Sequence, residues 1–224
     1  MKVTTGRITA VLIGIPIALV SVGFAAFNMV GLLSHASEHH EVTYPWHGGA
    51  VNLTVSSGTV RVEIGTGTQV HVSYTEHFQL KRPTISSSVS ANGLQLNAKC
   101  PGGVFGNSCD INYVLTVPAT ATLTLHTGDG GVTGAQLSSP QVEATTGNGN
   151  VHLDWSVAPS RVVATSGNGN IHLTVPTGSG PYRTSTNSGD GSVHVTVPTD
   201  VAATATITAR TGNGGIVIGL APAN

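Results

Sequence analysis

Five times the 224-residue chain repeats a short stretch built on Gly-[Asn/Asp]-Gly: "TGDGGV" (127–132), "TGNGNV" (146–151), "SGNGNI" (166–171), "SGDGSV" (188–193) and "TGNGGI" (211–216). The leading glycines, at 128, 147, 167, 189 and 212, lie 19, 20, 22 and 23 residues apart. A near-copy recurring at this period marks a solenoid or related strand array. Five residues before each leading glycine stand Leu123, Val142, Val162, Thr184 and Ile207, and three before it Leu125, Ala144, Ala164, Thr186 and Ala209. These positions share parity, so they line one face of a strand running into the turn. Beyond the turn, Val151 and Leu153, Ile171 and Leu173, and Val193 and Val195 continue the alternation. The predicted fold is therefore all-β: a β-solenoid or β-helix-like array of ~20-residue strand-turn-strand units. Asn-Gly and Asp-Gly favour a type I′ turn. The glycines predicted to turn the chain are Gly128 and Gly130, Gly147 and Gly149, Gly167 and Gly169, Gly189 and Gly191, and Gly212 and Gly214.

Ligand-binding readings of the same glycines fail in detail. A phosphate-binding P-loop needs Gly-Lys-[Ser/Thr], which is absent from the sequence. A dinucleotide fingerprint needs a third glycine and a following helix, yet His152 and His172 stand at that third position inside predicted strands. Calcium β-rolls use nonapeptides with a repeated Asp; here the period is twice that, with Asn in three of the five copies.

Before the repeats, Ile8–Leu33 is a charge-free apolar block. A spanning helix needs ~20 such residues, so the block predicts a single transmembrane helix. Lys2 and Arg7 precede it while Glu38 and Glu41 follow, which predicts a cytoplasmic tail (1–7) and an extracellular remainder. The competing reading, a signal peptide cleaved near "SHA" (34–36), needs an apolar region of ~7–15 residues. Residues 34–49 then read as a linker and 50–224 as one extracytoplasmic β-repeat domain, with "GLAPAN" (219–224) capping the last coil. Cys100 and Cys109 bracket a Gly- and Pro-bearing loop. Outside the cytoplasm such a pair predicts a disulfide, stabilising by roughly 2–3 kcal/mol. A net charge of -1 with nine scattered Lys and Arg gives no reason to expect nucleic acid as a partner.

The units "TSGNGNIHL" and "NSGDGSVHV", together with the stretch from Gly93 to Val132 and its strand Tyr113-Val114-Leu115-Thr116-Val117-Pro118, resemble a bacterial adhesin-like β-strand-repeat family of unknown function. The resemblance covers roughly Val51 to Leu220. It implies a membrane-tethered β-solenoid at the cell surface and implies little chemistry.

Three of ten histidines, His152, His172 and His194, hold one repeat position and point outward beside inward-facing neighbours. They predict a three-ring column on one face, ended by Thr133 and Val217 in the outer copies, with no carboxylate in register. The preferred reading is a solvent-facing ladder on a polar sheet face; the alternatives are a zinc or copper site, since imidazole suits both, and a pH-dependent surface charge. No metal or cofactor is assigned. His35, His39, His40 and His47 cluster in the linker, the first two one turn apart if the helix extends that far. Asp110, Glu143 and Asp154 share no repeat position, so catalysis would require the fold to bring them together. The aromatics likewise share no repeat position. The expected function is a non-enzymatic, membrane-anchored adhesin-like or scaffolding domain contacting a protein or glycan of the cell envelope. The alternative is a sensory or regulatory module acting through a membrane partner.

Overall fold

The computed structural model describes residues 35–102 and 108–221, so the predicted tail (1–7) and transmembrane helix (8–33) lie outside the described residues. Among the described residues no helix is long and apolar enough to cross a membrane; they form seventeen β-strands. In chain order these are β1 (His35–Pro45), β2 (Ala50–Ser57), β3 (Val60–Gly65), β4 (Gln69–Gln79), β5 (Thr84–Ser90), β6 (Gly93–Lys99), β7 (Cys109–Pro118), β8 (Thr122–Asp129) and β9 (Val132–Leu137). There follow β10 (Gln141–Asn148), β11 (Val151–Trp155), β12 (Arg161–Asn168), β13 (Ile171–Val175), β14 (Arg183–Asp190), β15 (Val193–Val195), β16 (Thr206–Asn213) and β17 (Ile216–Leu220). Two sheets result, with orders β1-β4-β7-β3-β9-β11-β13-β17-β15 and β14-β16-β12-β10-β8-β2-β6-β5. Each repeat is one coil whose two strands join different sheets, and all coil-to-coil pairings are parallel. The positions of shared parity face inward: Leu123, Val142, Val162 and Ile207 stack in register and are buried, as are Leu153, Leu173 and Ile218 opposite them.

Coils do not stack in sequence order. The last one, β16–β17, lies between β12–β13 and β14–β15, pairing with both. At the other end β2–β3 lies between β6–β7 and β8–β9. The predicted cap "GLAPAN" falls in part, at 222–224, outside the described residues; the coil it follows is internal, not last in the stack, and Ala221 donates to the Val175 carbonyl at 2.8 Å. The terminal coil is β14–β15, and its inward positions hold Thr184 and Thr186 where the other four repeats hold apolar residues. An end coil covers its inner face on one side only, and hydroxyls there cost less than stranded leucines.

The corners are not type I′ turns. Among the described residues only Leu80 and Gln136 have positive φ without being glycine, so each corner Asn or Asp keeps an ordinary backbone. A type I′ turn folds a strand back onto its own partner, whereas here the chain crosses from one sheet to the other and pairs with neighbouring coils. The glycines are needed instead for stacking, and the two of each motif differ. The leading glycine keeps an ordinary backbone: a Cβ on Gly147 would lie 2.6 Å from the Gly128 carbonyl oxygen of the adjacent coil. The second glycine adds a left-handed φ. Gly130 has φ of 137°, and a Cβ there would lie 2.1 Å from the Gly58 oxygen. Gly191, in the terminal coil, repeats this with φ of 152° and the Gly214 oxygen at 2.1 Å, so it too is a stacking glycine and not the centre of a type I′ turn.

The Ser or Thr that opens each motif has its own task. Thr127, Thr146, Ser166, Thr211 and Ser188 point inward and donate to the carbonyls of Gly58, Gly130, Gly149, Gly169 and Gly214, all at 2.7–2.8 Å. Every such bond ties one coil to the next. Thr146→Val keeps the shape but orphans the Gly130 carbonyl, and should cost about 1–2 kcal/mol in urea denaturation. Thr146→Ser keeps the donor and loses one methyl, so about 0.8 kcal/mol or less is expected.

Residues 35–45, expected as part of a linker, form β1, an eleven-residue strand antiparallel to β4. The alternation Ala36, Glu38, His40 and Tyr44 on the partly buried face has strand period, which the charged composition concealed. His35 and His39 accordingly lie along a strand, not one turn apart on a helix. The corner between β6 and β7 has no Gly-Asn-Gly; there Cys100 and Cys109 are disulfide-bonded, Cα–Cα 5.8 Å, closing the nine-residue separation. Tyr74 and Tyr113 stack at this end with ring centroids 5.2 Å apart. Burial, assisted by the nearby Glu76 carboxylate, holds both phenols above the ordinary tyrosine range, and burial does the same to Tyr182. Once unfolded these phenols ionise near their ordinary pKa of 10.0, so unfolding releases protons above that value. Stability should be insensitive to these groups below pH 10 and should fall as pH climbs beyond it. Tyr113→Phe should flatten the alkaline limb of a urea-midpoint titration.

Candidate functional site

Two outward surfaces carry polar side chains in long registered rows. On the outer face of the nine-stranded sheet, one row runs Val114, Arg61, Thr133, His152, His172, Val217, His194. His152 and His172 stack with centroids 4.8 Å apart and planes within 5°. His194 does not join them, because Val217 of the inserted coil stands between. The predicted three-ring column is a pair, for the reason that reorders the coils. A carboxylate does meet it: Asp154, two residues on along the same strand, lies with Oδ2 3.0 Å from His152 Nε2. Arg61, Glu63, Thr133, His152 and Asp154 line a shallow groove here, with Arg61 Nε 3.0 Å from Glu63 Oε1. The groove therefore presents the Arg61 guanidinium and the His152 ring beside two carboxylates.

The second surface is the edge along which the corners align. Asn148 Nδ2 donates to Asp129 Oδ1 at 2.6 Å, Asn168 Nδ2 to Asn148 Oδ1 at 2.8 Å, and Asn213 Nδ2 to Asn168 Oδ1 at 2.6 Å. Beside this amide ladder, Asn150 Oδ1 accepts the Asn170 backbone N–H and Asn170 Oδ1 accepts that of Gly215, each at 2.8 Å. The central Asn or Asp of four of the five motifs, Asp129, Asn148, Asn168 and Asn213, thus links coils laterally. A signal for this stood in the sequence: Asn recurs at the motif centre at coil spacing, and identical amides in register form such ladders.

At the β1 end, His40 Nε2 lies 3.7 Å from Glu38 and 3.6 Å from the buried Glu76, while its ring stacks on Tyr74 at 4.9 Å. Arg82 meets Glu38 and lies over the Phe78 ring at 5.4 Å. His39 contacts Thr75 and Glu41, on the opposite face of the strand. Among the described residues no group of three or more His, Cys, Asp or Glu side chains is arranged to hold a metal ion. Asp110, Glu143 and Asp154 do not converge: Glu143 lines a groove on the eight-stranded sheet, while Asp110 accepts from Asn112 and Asp154 pairs with His152 on the other sheet.

The profile of the family described as Toastrack DUF4097 matches residues 50–221. Among solved structures, the chain is similar to a candidate cell adhesion protein from Clostridium sporogenes ATCC 15579, at 15% identity and a TM-score of 0.60, covering 83% of this chain and 100% of that one. A candidate adhesin from Bacteroides fragilis NCTC 9343 is more distant, at 14% identity and a TM-score of 0.41, covering 81% and 97%. No curated protein matches the chain.

Proposed function

Starting from the chain's membership of the Toastrack DUF4097 family, whose function is unknown, we propose that it is a non-enzymatic, adhesin-like or scaffolding domain of the cell envelope. In this reading residues 8–33 anchor it in the membrane and the β-array stands outside. The observation that carries the reading is the repetition of outward side chains in register over successive coils. Such rows offer a partner an extended series of contacts at coil spacing, the arrangement solenoids use for extended binding. The name given to the Clostridium sporogenes protein points the same way. Crosslinking of the full-length protein in its native membrane, with partners identified by mass spectrometry, tests it. Wall polymer or proteins of neighbouring cells are the expected partners. Recovery of one stoichiometric membrane protein instead would replace this reading with that of a regulatory module.

A further inference from the structure

We infer that the corner formed by Leu80, Lys81, Arg82 and Lys99 rests on an anionic lipid surface, with the Leu80 side chain inserted into it. The inference rests on the reading of residues 8–33 as a membrane anchor. Only Ser34 separates that apolar block from β1, which begins at His35. From Leu33 to His35 the chain can reach at most about 7 Å, close to the depth of one headgroup layer. The pairing His35↔Gln79 puts the end of β4 beside the point where the chain leaves the bilayer. Leu80 is the next residue.

With Gln136, Leu80 is one of two described non-glycine residues with positive φ. Its φ is 61°, and the Lys81 N–H donates back to the Gln79 carbonyl at 2.6 Å, a three-residue turn. A left-handed leucine is costly, and such conformations persist where the exposed group is used. Here nothing is gained inside the protein, since the side chain is 56% exposed.

Charge points the same way. Lys81 and Arg82 are the only adjacent basic pair in the sequence. The pairing Thr84↔Lys99 brings a third cation to the corner. Arg82 is met by Glu38, so Lys81 and Lys99 are the cations the corner offers; the other acids at this end are Asp110, hydrogen-bonded to Asn112, and the buried Glu76. Lys81 and Lys99 are exposed. Basic residues around an inserted apolar side chain are the chemistry of a surface that meets phosphate headgroups.

The test uses the full chain reconstituted in phosphatidylcholine vesicles, with and without phosphatidylglycerol and with brominated acyl chains. L80W is compared with V201W, which replaces an 88% exposed residue between β15 and β16 at the far end of the array; the native protein supplies the background of Trp46 and Trp155. The L80W emission should fall about two-fold or more, V201W should not respond, and K81E/K99E added to L80W should weaken the quenching in phosphatidylglycerol vesicles. Unquenched L80W in protein that resists alkaline carbonate extraction would overturn the contact while leaving the anchor standing. Release of the protein by carbonate would remove the anchor and the contact together.

Discussion

Ending the chain after Ala205 should release more than the coil it removes. β14 pairs only with β16, and β15 only with β17, among the described strands. Without β16–β17, the strands Arg183–Asp190 and Val193–Val195 face a gap of about 10 Å, two strand spacings, to β12 and β13. Their amides should then lose hydrogen-exchange protection altogether, while β8 to β13 retain it. The deletion also takes Ile207, Ile216 and Ile218 out of the core, all fully buried. At about 1.5–3 kcal/mol each, the array should lose about 4.5–9 kcal/mol. The physical obstacle to rescue is the polarity of the end coil: closing β14 onto β12 would set Thr184 and Thr186 against Val162 and Ala164, with far less apolar area than Ile207 and Ala209 provide. Persistent protection over 183–195 in the shortened chain would show that β14 docks on β12 regardless, and that these threonines do not set the order of the coils.

The glycine corners should yield the largest single-residue effects, and three positions separate the causes. Gly178 has φ of 80° with nothing within 4 Å of a built Cβ, so Gly178→Ala meets strain alone and should cost about 1 kcal/mol. Gly147→Ala meets the Gly128 carbonyl without needing a left-handed backbone, and about 2 kcal/mol is expected. Gly130→Ala meets both obstacles, a φ of 137° and backbone at 2.1 Å, and should cost about 3 kcal/mol or more. Chemical denaturation of the three variants gives the ranking. Equal losses at Gly130 and Gly178 would mean that neighbouring coils part easily and that the stacking role assigned to the glycines is wrong.

Legibility differs sharply between the two candidate surfaces. The outward placement of His152 and His172 follows from period two, and the structure stacks them. His194 looked equivalent by the same rule, yet the rule says nothing about which coil lies next to which. The Asn ladder is visible as a repeated motif centre, but Asn-Gly in a sequence predicts turn chemistry. That reading fits Asn-Gly where two strands pair with each other; here each strand pairs with its counterpart in another coil, and the side chain is free to bond sideways. β1 was hidden for a different reason. Its strand alternation sets Glu38 and His40 on the inner side, where Arg82, Glu76 and Tyr74 receive them, so a polarity scan finds a linker.

The sequence by itself determined the coil. Inward parity, a small-residue corner and a Ser or Thr hydroxyl before it are local requirements, met within about twenty residues and repeated because each coil must stack on another like it. Tertiary structure alone decided the order of the coils. Every repeat offers nearly the same upper and lower surface, so nearest-neighbour chemistry barely distinguishes one stacking sequence from another. What breaks the tie is the cost of an uncovered end. The coil with threonines inside takes that place, the coil with isoleucine and alanine is drawn in behind it, and Val217 comes to lie between two histidines that the sequence places on one face.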